Sequence, residues 1–239
     1  MGGVPILRRT ITSLLRCGFD QFVIGTGYLE HMVRDAVASW FPGPSTDGSG
    51  SAPAIDVTFV TNPVFRDTNN AYSLLLMREH LENEAFILLD GDVVFDAGVI
   101  EELVERGPDC LAVRSVGQIG LEEVKVTADN QDRVLAIGKH VPVRSAMGES
   151  VGIELFSAAS SRRLFAALHQ RVAVQGLVNE YYEASFQQII DEGCTLYGVD
   201  IGSMYASEID TIDDLIAAND RLSQRPAFDV RVDALRLAV

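Results

Sequence analysis

The chain has 239 residues, 47% of them hydrophobic, with 19 basic residues against 34 acidic ones and a net charge of −15. It can bury a sizeable core, which excludes global disorder, and its charge argues against nucleic acid or an anionic membrane as partner. Cys17, Cys110 and Cys194 are odd in number and show no C-x-x-C spacing, so neither a disulfide framework nor a zinc site is expected. No stretch approaches the roughly 18 consecutive apolar residues of a membrane span, and the first residues are too polar for a signal peptide. A cytoplasmic location is the expectation.

In chain order, Ile6, Leu7, Ile11, Leu14 and Leu15 share one helical face, with Pro5 suited to the first turn and Gly18 to the cap. Residues 21–25 read as a strand and 29–41 as a helix. The segment 43–53, "GPSTDGSGSAP", reads as a flexible loop. A strand at 55–60, a helix at 71–82, a strand at 86–90 and a helix at 97–107 continue the alternation. That rhythm indicates βαβ units and a mixed, mostly parallel sheet within a single domain over 1–239. After residue 110 the pattern changes: "CLAVRSV" suits another strand, and 122–139 holds two alternating runs about a polar turn, a hairpin signature. Helices are expected at 157–171 and 179–192, a strand at 195–200, and a helix capped by Thr211. The tail 223–239 is left unassigned.

Within this pattern "FILLDGDVVF" (86–95) runs an unbroken apolar strand into Asp90 and Asp92. Open α/β sheets bind ligands where such strands end, and paired carboxylates there need a cation or a set of donors. Asp210, just ahead of a helix, is the second candidate for a hard cation, since Mg²⁺ is often held by one or two carboxylates plus substrate phosphate and water. Asp213 and Asp214 are explained by the helix dipole. "TNPVFRDTNNAYSL" (61–74) crowds Asn69, Asn70 and Ser73 at a helix start, which serves either turn and cap formation or contact with a base or phosphate. Glu180, Tyr181, Tyr182 and Glu183 share one turn, either as core aromatics or as a cage for a cationic ligand. Lys125 and Lys139 flank the hairpin, where lysines are usually solvated, but either would serve an anionic substrate.

These stretches in this order resemble one family. "GGVPILRRTITSLLRCGFDQFVIGTGYLEHMV", "NPVFRDTNNAYSLLLMREHL", "FILLDGDVVF", "EEVKV", "IGK", "GESVGIELFS", "YYEASFQQII" and "EIDTIDDL" are together similar to bacterial nucleotidyltransferases, and most to their phosphocholine-type cytidylyltransferase branch. The likeness extends to about residue 222. It implies an α/β, Rossmann-like GT-A fold with a small β-hairpin acceptor region. It also implies transfer of a nucleoside monophosphate, CMP from CTP, to a small phosphate or phosphonate acceptor such as phosphocholine, with release of pyrophosphate. By the family motifs Asp92 and Asp210 bind Mg²⁺, and Lys125 and Lys139 face the reacting phosphates. Asn69, Asn70 and Ser73 lie along the substrates, and Glu149, Glu180 and Glu183 border the acceptor, where the cage reading adds Tyr182.

The family's opening strand, glycine-rich loop and Pro-Lys pair have no counterpart ahead of "MGGVPIL". The expectation from sequence is therefore that strands 21–25 and 86–90 pair directly or are bridged by another segment such as 226–239, and that residues 1–239 alone turn over slowly or not at all. Three other readings stay open: a haloacid-dehalogenase-type phosphatase, whose D-x-D opens its first strand; a GT-A glycosyltransferase using the same D-x-D; and a non-catalytic nucleotide- or partner-binding relative.

Overall fold

The computed structural model describes residues 3–42, 55–117 and 119–223. The loop expected at 43–53 and the tail beyond Ser223 lie outside those residues.

Ten strands and eight helices follow one another in the described residues. Helix α1 (Ile6–Arg16) buries Ile11 and Leu14 and ends at Gly18, whose φ of +91° is open to glycine at little cost. Strand β1 (Gln21–Thr26), helix α2 (Glu30–Trp40) and strand β2 (Asp56–Thr61) form a βαβ unit with β1 and β2 parallel. The helix expected over 71–82 breaks at Met77 into α3 (Asn70–Leu76) and α4 (Arg78–Leu81). Strand β3 (Phe86–Leu89) leads through Asp90 to a short strand β4 (Val93–Phe95) and helix α5 (Ala97–Arg106). Strand β5 (Cys110–Arg114) precedes the hairpin β6 (Lys125–Ala128) and β7 (Val134–Gly138), which forms as its alternation predicts.

Strand β8 (Gly148–Phe156) was not anticipated, and it organises the sheet. All nine of its residues are buried. One edge pairs with β5; the other pairs with β6 at its start and with β3 at its end, antiparallel in every case. Helix α6 (Ala158–Leu168) runs into a π-helical segment at His169–Val174, and α7 spans Glu183–Asp191, shorter at its start than the helix expected over 179–192. Strand β9 (Tyr197–Asp200) lies parallel to β5, β10 (Ala206–Glu208) lies antiparallel to β4, and α8 (Ile212–Ser223) begins after Thr211 as expected.

The largest sheet runs β7-β6-β8-β5-β9, with β3 on β8. It is mixed, but the expectation of mostly parallel pairing needs correcting. Of the described ladders only β1–β2 and β5–β9 are parallel, because β8 runs against each of its three neighbours. Among the described residues 21–25 and 86–90 share no ladder, β1 pairing with β2 and β3 with β8, and the alternative bridging segment 226–239 lies outside those residues.

Two apolar layers sandwich this sheet. On one face Phe86, Phe156, Phe165, Phe186 and Tyr182 interlock, with ring centroids 5.0–6.2 Å apart, under α3, α6 and α7. On the other, Leu14 of α1 and Val99, Ile100 and Leu103 of α5 cover Val151, Ile153 and Leu155. Ile153, fully buried at the centre of β8, should lose about 1 kcal/mol of stability on substitution by Val. Urea denaturation checks this, and a neutral result would mean that β8 is not the packed spine described.

Candidate active site

The strand ends meet at one polar cavity of about 580 Å³. Asp90 leaves β3 with its backbone N–H on Gly152 O at 3.0 Å. Gly152 has φ +67°, and a Cβ there would stand 2.6 Å from the Asp90 carboxylate, so only glycine lets β3 end against β8 with Asp90 in place. Two residues on, Asp92 meets β10: Glu208 lies opposite Val93, and the Ile209 N–H donates to Asp92 O at 3.1 Å. The β4–β10 ladder thus carries Glu208 and Asp210 to the rim where Asp92 already stands, and all three line the cavity.

Burial and mutual repulsion shape the acids. Asp90 is pushed up to about 6 by burial, with the Asp92 charge adding to it and the Tyr182 hydroxyl opposing. That hydroxyl faces the Asp90 carboxylate without reaching the geometry of a hydrogen bond. Glu183 rises to about 7 through burial, and Glu208 to about 7 through burial followed by repulsion from Asp92, Asp90 and Asp210. Glu154, fully buried on β8, is raised well above its ordinary value by that burial, with the Asp90 and Glu183 charges adding to it. No group of three or more His, Cys, Asp or Glu side chains among the described residues forms a metal cage by itself. A pair of hard carboxylates beside an open cavity nevertheless fits Mg²⁺, which takes its remaining ligands from substrate oxygens and water.

The other residues singled out from the sequence divide by place. Asn69 and Asn70 line the cavity, yet both also do local work. Asn69 caps α3 by accepting from the Asn70 N–H at 2.8 Å and donates its own N–H to Val178 O, while Asn70 Oδ1 accepts from the Tyr182 N–H at 2.9 Å. Ser73 is not at the cavity; its hydroxyl oxygen accepts from the Asn62 side chain at 3.0 Å. Lys139 lines the cavity with its amino group 4.9 Å from the centre of the Tyr181 ring. Lys125 does not. It is 1% exposed, and its Nζ donates to Leu121 O and Glu123 O, both at 2.7 Å.

Glu149 lines the cavity in an ion pair with Arg114. Glu180 is paired bidentately with Arg171 at 2.8 Å and lies outside the lining. The two tyrosines are reversed from the cage expected. Tyr181, about half exposed, presents its ring at the cavity, whereas Tyr182 is 2% exposed and stacks on Phe186. Because α7 begins only at Glu183, the residues before it do not follow the helical phase assumed for them.

Arg114 was missed. It stands opposite Glu149 in the β5–β8 ladder and also donates to Ala206 O at 3.2 Å, tying β5 to the start of β10. Burial raises Glu149 and the guanidinium opposes that rise. Arg114→Met should therefore destabilise the chain more than the double change Arg114→Met with Glu149→Gln, because the single change strands a buried carboxylate. Equal melting points for the two variants would refute this.

No family model matches the chain. Over 113 residues, 47% of this chain, it is 34% identical to CMP-5'-(3-aminopropyl)phosphonate synthase of Streptomyces rubellomurinus (strain ATCC 31215), and it spans only 16% of that protein's length. Among solved structures it resembles the inositol-1-phosphate CTP transferase of T. maritima, with TM-score 0.73 and 19% identity over 93% of this chain and 83% of the other. It also resembles the CTP:phosphocholine cytidylyltransferase of Streptococcus pneumoniae, with TM-score 0.69 and 17% identity over 93% and 87%. A UDP-glucose pyrophosphorylase superposes at TM-score 0.67 with 9% identity, over 92% and 89%. The chain therefore has the Rossmann-like α/β fold shared by these nucleotidyltransferases. No helix among the described residues is long and apolar enough to cross a membrane.

Proposed function

We propose that the chain is a nucleotidyltransferase that moves CMP from CTP to a small phosphate or phosphonate acceptor and releases pyrophosphate. The observation that carries this reading is the meeting of Asp92 and Asp210, from distant parts of the sequence, on the rim of one cavity. An acceptor oxygen attacks the α-phosphorus, a new P–O bond forms, and the bond to the β-phosphate breaks with the electron pair leaving on pyrophosphate. Such transfers depend on positioning and charge neutralisation more than on covalent help from the protein. Asp92 and Asp210 would hold Mg²⁺, which when bound neutralises phosphate charge. Lys139 and Arg114, the basic residues that line the cavity, then face the phosphates, and Asn69 and Asn70 orient the substrates.

Donor profiling tests the reading. Any pyrophosphate that the purified chain releases with Mg²⁺ and a panel of phosphate and phosphonate acceptors, at the low rate expected from its sequence, should come from CTP in preference to UTP or dTTP. Release of a nucleoside diphosphate from a nucleotide sugar would instead indicate glycosyl transfer. One observation favours a second reading, nucleotide binding without turnover: the Lys125 amino group is held by two backbone carbonyls rather than presented to the cavity. Calorimetric binding of CTP and Mg²⁺ with no pyrophosphate from any acceptor would support it.

A further inference from the structure

Helix α8 turns its large apolar residues to solvent. Ile212, Leu215 and Ile216, spaced i, i+3 and i+4, form one stripe, and they are 76%, 37% and 53% exposed. The residue turned to the body of the protein is Ala218, fully buried and about 200° round the helix from Ile216. An amphipathic helix normally does the reverse. Apolar residues exposed singly are ordinary, but three adjacent ones on one helix mark a surface that something covers. The helix also borders the cavity, since Asp210 just ahead of it and Asp214 in its first turn are lining residues.

The sequence after α8 has the chemistry to cover that stripe. Sixteen residues, 224–239, follow the helix. Pro226 suits a reversal of the chain soon after a helix end. Beyond it Phe228, Val230, Val232, Leu235 and Leu237 recur every two or three residues, with Asp229, Arg231, Asp233 and Arg236 between them. That pattern gives one apolar side and one wet side. An inner strand between β1 and β3 would be buried on both faces and would call for an unbroken apolar run instead. Charge agrees as well: 224–239 holds three arginines against two aspartates, while α8 holds three aspartates against one arginine. The twelve residues of α8 span roughly 18 Å, and the thirteen residues 227–239 can run back over that length in any regular conformation.

We propose that residues 227–239 fold back over α8 and cover Ile212, Leu215 and Ile216 as a strap behind the Asp210 rim of the cavity. Two physical arguments favour this occupant. A two-fold pairing of α8 with a second copy would set like-charged helices against each other. A segment tethered within three residues of the helix also has an effective concentration in the millimolar range, which a free partner must exceed.

Hydrogen–deuterium exchange on the full chain, together with light scattering for its mass, provides the test. The amides of 227–239 should exchange at least tenfold more slowly than in a free peptide of the same residues, and the chain should be a monomer. Ile212→Ser combined with Ile216→Ser should return those amides to the free-peptide rate while exchange in β5 and β8 stays as in wild type. Arg231→Glu combined with Arg236→Glu should weaken the protection severalfold. Free-peptide rates in the wild type would overturn the proposal. So would protection that survives the double isoleucine change, which would place the segment elsewhere, or a dimer that this change dissociates, which would make a second copy the cover. None of these readouts depends on turnover, so the transfer reading stands or falls separately.

Discussion

Asp92→Asn should lower kcat/KM for pyrophosphate release by at least about a hundredfold, the scale on which a lost electrostatic partner of the transition state is felt. The substitution keeps size and backbone but removes the charge from the residue that the β4–β10 ladder sets beside Asp210. Asp210→Asn should cost a similar factor. The double variant should cost little more than either single one, because two ligands of one ion act as a unit and their effects do not add. Steady-state assays over a Mg²⁺ titration check this: the single variants should need more metal as well as turn over more slowly. Wild-type rates in Asp92→Asn at saturating Mg²⁺ would remove Asp92 from the chemistry.

The second large effect is on stability against pH. The folded-state values of Glu183, about 7, and Asp90, about 6, lie above their ordinary values of 4.5 and 3.8, and burial raises Glu154 as well. The folded chain therefore binds these protons more tightly than the unfolded chain does. The contribution is present in full below about pH 4 and is lost as pH rises through 6 to 7. For one deeply buried group a shift of about two units corresponds to roughly 3 kcal/mol. Urea midpoints without divalent metal should accordingly fall between pH 5 and pH 8 by an amount equivalent to a few kcal/mol. Mg²⁺ should restore part of the loss at pH 8, since it binds the native Asp92–Asp210 pair and not the unfolded chain. Glu154→Gln should flatten the slope. The exposed acids whose values are lowered, such as Glu82 and Asp129, act in a separate window below pH 4 and are weakened by solvent. A midpoint that rises from pH 5 to pH 8 in metal-free buffer would show that the cluster is not protonated in the fold.

The sequence carries the βαβ rhythm, the strand that ends in Asp-Gly-Asp and the hairpin, because each is a local pattern of apolar spacing and turn residues. Strand β8 escapes that logic. Val151, Ile153 and Leu155 do alternate with Ser150, Gly152 and Glu154, but such alternation reads as a strand with one solvated face, whereas all nine residues, Glu149 and Glu154 among them, are buried. Everything that depends on β8 was hidden with it. The antiparallel character of the sheet follows from its direction, Arg114 acquires meaning only from Glu149 across the ladder, and Glu154 from the tertiary packing of α7. Lys125 shows the same limit from the other side. A lysine in a hairpin is ordinarily solvated, and only the carbonyls of Leu121 and Glu123 folded back over it explain a buried amino group. The positions of Asp92 and Asp210 were legible because each sits at a strand or helix boundary whose local signal is strong, and both line the cavity.

Asn69 and Asn70 have a mechanical consequence. Through Val178 O and the Tyr182 N–H they fasten the start of α3 to the segment that leads into α7. One wall of the cavity is thereby linked to the wall that carries Glu183. A ligand that shifts either wall must drag the other along or break two hydrogen bonds. If occupancy of one half of the cavity shifts its wall, the affinity of the other half should change, and by thermodynamic reciprocity the factor is the same in both directions.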